Sequence, residues 1–185
     1  MAALPYCIIV TGRPGSGKTT LASKLASELW MPFISRDAIK EGYVNTHGVP
    51  HTQLPEDTNR LVSEAFFDLT LQHLEAAISV VIEAAFQHAV WQQHFAKLQS
   101  SCRPKLIRCE ISPSLAAERH LQRGLADPRR EYFHGDQRVL QYRQTGKVGP
   151  PAPYETANLD MPTLDVSTSN EYQPPLEDIV AFAKA

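Results

Sequence analysis

Eight consecutive residues, Gly12-Arg13-Pro14-Gly15-Ser16-Gly17-Lys18-Thr19, satisfy the pattern G-x-x-x-x-G-K-[ST]. Glycines allow backbone N–H groups to wrap around phosphate oxygens, and the start of a following helix adds partial positive charge. In this pattern the lysine reaches the β- and γ-phosphates and the threonine hydroxyl binds Mg²⁺. The motif therefore predicts that Gly12 to Thr20 bind a nucleoside triphosphate, with Lys18 on the phosphates and Thr19 on the metal.

The flanking residues place this motif between a strand and a helix. Tyr6 to Val10 is a short apolar run of the kind found in strands that are buried on both faces. Leu21, Leu25 and Leu29 recur every four residues and predict the apolar stripe of a helix. Strand, glycine-rich turn and helix is the order in which a phosphate-binding loop is expected.

Two carboxylates follow other predicted strands. Asp37 comes after Met31 to Ser35, and Glu83 comes after Ile78 to Ile82. Ligands of parallel α/β sheets bind at the carboxyl ends of the strands, so both side chains are candidates for the same site. Asp37 could orient an acceptor hydroxyl toward the γ-phosphorus, or it could only cap the next helix. Glu83 is expected near Mg²⁺, either directly or through water, because a charge at the end of a buried strand needs a partner.

An arginine-rich stretch supplies the candidate cations. Arg119 and Arg123 are four residues apart, so they share a face of the predicted helix, and Arg129 and Arg130 follow. Guanidinium groups bind phosphate oxygens bidentately, which favours a mobile lid over the nucleotide that includes Arg123. The alternative is a solvated helix face whose arginines pair with nearby Glu and Asp residues.

Strands and helices alternate along the rest of the chain. This pattern predicts a three-layer α/β fold with a parallel, doubly wound sheet. The predicted elements after the first helix are a strand at Met31 to Ser35, a short helix at Ala38 to Gly42, a loop at Tyr43 to Leu54, a long helix through Leu61 to Leu74, a strand at Ile78 to Ile82, a helix at Gln87 to Gln99, a strand at Lys105 to Ile111, a helix from Pro113 through Arg130, a loop at Gly146 to Pro153, a strand at Pro162 to Val166 and a closing helix through Leu176 to Ala183.

Composition restricts the class of protein. The chain has 185 residues, of which 43% are hydrophobic, and this is consistent with one domain over 1–185. The formal net charge of −2 argues against non-specific binding of nucleic acid. We expect no membrane span, no signal peptide and a cytoplasmic location, with Cys7, Cys102 and Cys109 as free or buried thiols.

The motifs together resemble a known family. Gly12 to Thr20, Ser35 to Asp37 with Lys40, Val81 to Ala84 and the stretch Glu118 to Asp136 are similar to the P-loop kinases that include phage polynucleotide kinase, chloramphenicol phosphotransferase and zeta toxins. The motifs are also similar to those of bacterial proteins known only as AAA-family ATPases or predicted kinases. The resemblance covers almost the whole chain and implies a five-stranded sheet in the order 2-3-1-4-5.

The resemblance also implies roles for individual residues. Asp37 matches the base that orients the acceptor hydroxyl, and Lys40 matches a basic residue that contacts substrate. Arg123, with Arg119 second, matches the lid arginine, in a lid at approximately 120–136. Glu83 stands where the family usually has Asp, and the family's Arg-His-Pro-Gly-His lid sequence is replaced here. The adenine is expected between the lid and the loop 167–170.

The implied activity is transfer of the γ-phosphate of ATP, with Mg²⁺, to a hydroxyl group of a small-molecule acceptor. Two alternatives remain open at this point. One is a polynucleotide 5′-kinase, and the other is a regulatory ATP-binding module without phosphotransfer. The sequence leaves the acceptor and the oligomeric state open.

Overall fold

A computed structural model describes residues 4–185, and its five strands form one parallel sheet in the order β2-β3-β1-β4-β5. The predicted α/β class and strand order are therefore confirmed. The elements are β1 (Tyr6–Thr11), α1 (Lys18–Leu29), β2 (Phe33–Ser35), α2 (Arg36–His47), a 3-10 helix (His51–Gln53), α3 (Thr58–Glu75), β3 (Val80–Ala84), α4 (His88–Ser101), β4 (Arg103–Glu110), α5 (Pro113–Ala126), α6 (Arg129–His134), α7 (Gln137–Thr145), β5 (Thr163–Ser167) and α8 (Leu176–Lys184).

The central strand β1 is apolar along its length because both of its faces are covered. Cys7 and Ile9 belong to a core cluster with the side chains of α3 and α4, including Phe66. Ile8 and Val10 belong to the second cluster, with side chains of α1 and α8. Successive side chains of a strand point to opposite faces, so one apolar run supplies both layers of an α/β/α sandwich.

Strand register fixes which polar residues meet at the carboxyl edge of the sheet. Val10 of β1 and Ser35 of β2 both lie opposite Glu83 of β3. Glu83 is therefore inside its strand rather than just beyond it, and Ala84 is the last residue. The phosphate-binding loop leaves β1 beside this carboxylate, and α2 leaves β2 on its other side.

The segment that follows β2 differs from the sequence expectation. The predicted short helix at Ala38 to Gly42 and the predicted loop at Tyr43 to Leu54 are replaced by α2, which continues to His47, and by the 3-10 helix. Val44 is buried and holds the second half of α2 against the fold. The helix ends where Gly48 adopts a φ of 66°, so Gly42 is a tolerated interior glycine and Gly48 is the terminator.

Two helices, α5 and α6, replace the single helix predicted from Pro113 through Arg130, and the predicted lid at approximately 120–136 spans the end of α5 and all of α6. Helix α5 ends at Ala126 because Asp127 is extended before Pro128, as residues preceding proline tend to be. Helix α6 is a separate element. Helix α7 was not predicted; it is mostly polar, and the Asp136 side chain caps it by accepting a hydrogen bond from Arg138 N.

The three cysteines are buried free thiols, which agrees with the expectation from the sequence. Among residues 4–185, no helix is both long enough and apolar enough to cross a membrane.

Candidate active site

The glycine-rich loop is held in a conformation that only glycine adopts easily. Gly15 and Gly17 have φ values of 87° and 77°, in the left-handed region. At Gly15 a Cβ would overlap the backbone of Ala116 in α5, so the loop and the first lid helix touch directly. At Gly17 the nearest atom to a built Cβ is Thr168 Cβ, at 3.9 Å. The loop therefore keeps this shape because Gly15 and Gly17 carry no side chains, and we call it the cradle.

Lys18 and Glu83 form a buried ion pair at the floor of this loop. The distance between Lys18 Nζ and Glu83 Oε1 is 3.4 Å, and both residues are at most 5% exposed. The other carboxylate oxygen, Oε2, accepts a hydrogen bond of 3.0 Å from Ser35 Oγ. Glu83 is therefore held between the loop and the end of β2, and it keeps the lysine ammonium paired inside the protein.

The loop residues fit a bound triphosphate. Ser16 Oγ, inside the cradle, is buried and has no hydrogen-bond partner in the protein. Thr19 and Thr20 are exposed beside the loop. Thr19 Oγ1 and Glu83 stay the predicted oxygen ligands for a magnesium ion, which prefers such ligands and retains several waters. Within residues 4–185 there is no group of three His, Cys, Asp or Glu side chains that could hold a metal on their own.

A hydrogen-bonded network beneath the loop contains a residue that the sequence did not reveal. Thr11 Oγ1 donates to Ala84 O at 2.8 Å and accepts from Trp91 Nε1 at 3.1 Å. The Tyr154 hydroxyl lies 3.5 Å from the same oxygen, and the ring of Tyr154 lies under the Arg13 guanidinium at 5.6 Å. Tyr154 comes from a proline-rich segment without a motif, so no sequence signal marked it.

Arg119 lies beside the loop that was expected to contact adenine. Its guanidinium donates to Thr168 O at 2.8 Å and to Ser169 O at 2.6 Å. An adjoining cavity of about 410 Å³ is lined by Gly17, Thr20, Lys24, Arg119, Thr168, Asn170, Glu171 and Tyr172. This arginine therefore positions the wall of the expected base pocket, and the catalytic role predicted for Arg119 stays a prediction.

Arg123 is one turn further along α5 and faces the phosphate side. Partial burial and the charge of Arg130 lower its pKa, whereas the carboxylates of Asp37 and Glu83 raise it. Among residues 4–185 the guanidinium of Arg123 makes no hydrogen bond or ion pair, unlike Arg119. Arg129 differs again, because its exposed side chain pairs with Asp127 at 2.8 Å on the surface. Arg123 is thus a lid arginine that is available to a ligand, and Arg130, whose Nε is buried without a hydrogen-bond partner, is another.

Asp37 lies in the first turn of α2, next to the floor of the loop. Ser35 occupies the N-cap position and Arg36 begins the helix, so the predicted alternative in which Asp37 only caps a helix is wrong. Burial opposes ionisation of Asp37, but the positive charges of Lys18, His134, Arg36 and Arg130 together lower its pKa. Asp37 is therefore an ionised carboxylate held among cations, with about half of its side chain, 47%, open to solvent.

The lid contacts α2 from above. His134 Nε2 of α6 lies 2.9 Å from Glu41 Oε1 of α2. A cleft of about 190 Å³ between these helices is lined by Glu41, Asp127, Arg129, Arg130, Phe133 and His134. Lys40, the predicted substrate contact, is buried on the same helix. None of the predicted site residues lines this cleft. Lys18 pairs with Glu83, and the mutual charge effects on pKa bring Asp37 near Lys18, Lys40 and Arg123.

Comparison with known proteins gives a consistent result. The profile of a family described as an AAA domain, AAA_33, matches residues 7–146. A candidate kinase from Chloroflexus aurantiacus is 26% identical, with a TM-score of 0.78 over 98% of this chain and 97% of that one. The Mycobacterium tuberculosis APS kinase in complex with AMPPNP and APS has a TM-score of 0.66 over 100% of both chains, but its identity of 13% indicates a common fold alone.

A curated sequence relative matches only a segment. The cytidylate kinase of Ignicoccus hospitalis is 41% identical over 49 residues, which are 26% of this chain. That segment spans 28% of the length of the relative.

Proposed function

The chain belongs to the AAA_33 family of AAA domains and has the fold of P-loop kinases, and from this premise we propose that it transfers the γ-phosphate of ATP to a hydroxyl group of a small-molecule acceptor. One observation carries the proposal: the ionised Asp37 carboxylate lies at the carboxyl edge of the sheet, close enough to Lys18 for its charge to lower the pKa of Asp37. A module that only binds nucleotide has no need of a carboxylate directed at an acceptor.

The residues of the site have different roles in the proposed reaction. The backbone of Gly12 to Gly17 and the ammonium of Lys18 bind the β- and γ-phosphates, with Lys18 exchanging its contact with Glu83 for phosphate oxygens. Arg123 stabilises the charge that develops on the transferred group. Magnesium, when bound at Thr19 and Glu83, supplies further neutralisation of phosphate charge. Arg119 keeps the base-side loop in place through Thr168 and Ser169.

Asp37 acts on the acceptor. Its carboxylate accepts a hydrogen bond from the acceptor hydroxyl and orients the oxygen in line with the γ-phosphorus. The acceptor oxygen forms a bond to phosphorus while the bond between phosphorus and the β–γ bridging oxygen breaks. The hydroxyl proton passes to Asp37 and then to water, and ADP leaves. Because the pKa of Asp37 is lowered, the residue holds this proton only transiently.

The proposal is tested by a transfer assay. ATP labelled at the γ-phosphate is incubated with the protein and panels of sugars, nucleosides, hydroxy acids, aminoglycosides and oligonucleotides, and labelled products are separated from ADP and phosphate. Lys18→Ala, which removes the ammonium from the loop, is the matched control and should abolish any transfer. Label that appears only on oligonucleotide ends would favour the polynucleotide kinase reading. Steady ADP release without a labelled acceptor would favour a regulatory ATPase.

A further inference from the structure

Tyr154 contacts both residues that flank Gly12 at the start of the phosphate-binding loop. Its hydroxyl lies 3.5 Å from Thr11 Oγ1, and Arg13 Cζ lies 5.6 Å from the centre of its ring in a cation–π contact. The same hydroxyl donates a hydrogen bond to Phe86 O at 3.3 Å, just beyond β3. One side chain therefore connects the carboxyl end of β1, where the loop begins, to the carboxyl end of the neighbouring strand β3.

Arg13 has few other contacts to fix its direction. Within residues 4–185 its guanidinium forms no hydrogen bond and no ion pair, and its cation–π partner is Tyr154. Arg13 also lines two separate cavities, of about 360 Å³ and about 210 Å³, so it borders open space as well as packed protein. Ordering a long side chain costs rotamer entropy, which a contact must offset. The ring of Tyr154 is therefore the contact that restricts the Arg13 side chain.

Residues 149–158, which we call the strap, carry Tyr154 and form no helix or strand. The strap is nevertheless fixed on both sides of the tyrosine. The side-chain amide of Gln87 donates a hydrogen bond to Pro153 O at 3.3 Å and accepts one from Glu155 N. The residues before and after Tyr154 are thus bound by one side chain, which sets the position of the ring.

Two arginines hold the strap at points on either side of this clamp. Arg138 of α7 donates to Gly149 O at 2.8 Å and to Pro150 O at 3.1 Å. Arg108 of β4 donates to Ala157 O at 3.2 Å, and Ala157 is fully buried. The strap therefore runs from α7, which follows the lid, to the sheet, and it is attached before and after the tyrosine that reaches the loop.

From these contacts we propose that Tyr154 is a positioning residue of the phosphate-binding loop. Through Thr11 and Arg13 it holds the first turn of the loop in the conformation that binds the phosphates of ATP. Backbone N–H groups bind phosphate well when they already converge on it, so freedom at the start of the loop weakens binding. Tyr154 acts through these two residues and needs no contact of its own with the nucleotide. The inference rests on the proposed function in one respect, that the loop binds ATP.

The first test compares a ligand that occupies the loop with one that does not. ATP and adenosine share the base and the ribose, but only ATP places phosphates in the loop. Their dissociation constants are measured by calorimetry for Mg·ATP and by saturation-transfer NMR for adenosine. Tyr154→Leu should bind ATP at least about threefold more weakly than wild type, because it loses the cation–π contact and the hydroxyl, and should bind adenosine equally well. Tyr154→Phe, which keeps the ring, should show a smaller loss.

Tyr6 provides the matched control, because its ring lies 5.7 Å from Arg103 Cζ at the opposite edge of the sheet. Tyr6→Leu should lower the stability of the protein to urea and leave both dissociation constants unchanged. Equal weakening of ATP and adenosine in Tyr154→Leu would make Tyr154 a residue of the fold alone and would overturn the proposal. An unchanged ATP affinity, or a loss in Tyr6→Leu as large as in Tyr154→Leu, would do the same.

The second test asks whether Tyr154 acts through Arg13 and whether the strap holds it in place. The loss of ATP affinity in the double variant Arg13→Leu/Tyr154→Leu should be smaller than the sum of the losses in the two single variants. Gln87→Leu removes the hydrogen bonds on both sides of the tyrosine without changing the loop, and it should weaken the binding of ATP but not of adenosine. Strictly additive losses, or wild-type ATP affinity in Gln87→Leu, would overturn the proposal.

These measurements do not depend on phosphate transfer. A wild-type protein that binds ATP, shows the expected effect of Tyr154→Leu and phosphorylates no acceptor would reject the proposed function and leave the role of Tyr154 standing. A wild-type protein that binds ATP no more tightly than adenosine would overturn both, because its loop then binds no phosphates.

Discussion

The contact between the phosphate loop and the lid helix can be tested with a pair of alanine substitutions. Gly15 and Gly17 both have a positive φ, so alanine brings a similar backbone strain of about 1–2 kcal/mol at either position. Alanine also restricts the unfolded chain, which offsets about 0.4–1 kcal/mol of that cost in both variants. The two terms nearly cancel when the variants are compared with each other.

The remaining difference in stability between the two variants depends on the space available for the methyl group of alanine. At Gly17 the new Cβ would be 3.9 Å from its nearest neighbour, which is ordinary contact. At Gly15 it would overlap the carbonyl group of Ala116, which is backbone and cannot rotate away. Overpacking of a packed site costs about 1–3 kcal/mol. We therefore expect Gly15→Ala to be less stable than Gly17→Ala by about 1–3 kcal/mol.

The measurement is equilibrium unfolding in urea of the nucleotide-free protein, followed by circular dichroism. Gly146→Ala provides a control for strain alone, because Gly146 ends α7 with a φ of 66° and nothing within 4 Å of a built Cβ. The loss of stability in Gly146→Ala should be similar to the loss in Gly17→Ala. Equal losses for Gly15→Ala and Gly17→Ala would refute the close packing of the loop on α5.

Other predictions concern the lid and Lys40. Arg123→Ala should lower kcat about 10²- to 10³-fold with little change in the KM for ATP, because its contact is made to transition-state charge. Arg119→Ala should instead weaken ATP binding by at least about tenfold, because hydrogen bonds from a charged donor to Thr168 and Ser169 contribute about 1.5–3 kcal/mol. Initial-rate kinetics distinguish a change in kcat from a change in ATP binding. A lower kcat in Arg119→Ala and weaker ATP binding in Arg123→Ala would exchange the roles of the two arginines. The stability of the acceptor-free protein should rise as the pH rises from about 8 to 10.5, because over this range the unfolded chain binds more protons than the folded one at Lys40. Unfolding in urea at several pH values measures this trend, and Lys40→Met should remove it.

The sequence predicted those parts of the site that depend on local pattern. The loop, its strand and its helix are adjacent in the chain, and the geometry of Gly15 and Gly17 follows from residue type. Glu83 could be predicted as a site residue because it places a charge at the end of an apolar run. Its actual partners, Lys18 and Ser35, depend on strand order, which residue spacing alone does not reveal.

The features that sequence did not predict depend on contacts between distant segments. Tyr154 approaches Thr11 across 143 positions of the chain, and no periodicity marks a tyrosine within a proline-rich loop. Arg119 was assigned to phosphate because it shares a face with Arg123, but a helix face does not specify which neighbour it meets.

The helix boundaries were missed for local reasons. Gly42 was predicted to end α2, but Val44 is buried and the helix continues five residues further, to His47, where the left-handed Gly48 ends it. Helix α7 has a single buried residue, Val139, so its apolar stripe is too weak for a periodicity argument. At α2, packing decided the outcome over propensity.

The central claim, that Asp37 directs phosphate to an acceptor, is tested most directly by the ratio of phosphorylated acceptor to ADP in wild type and in Asp37→Asn. The amide keeps the size of the side chain but loses the basic oxygen. We expect ATP affinity to stay within about threefold while transfer falls about 10²- to 10⁴-fold, the range usual for a general base, so that little acceptor is phosphorylated for each ADP released. Transfer at the wild-type rate by Asp37→Asn would contradict the account and place the acceptor elsewhere.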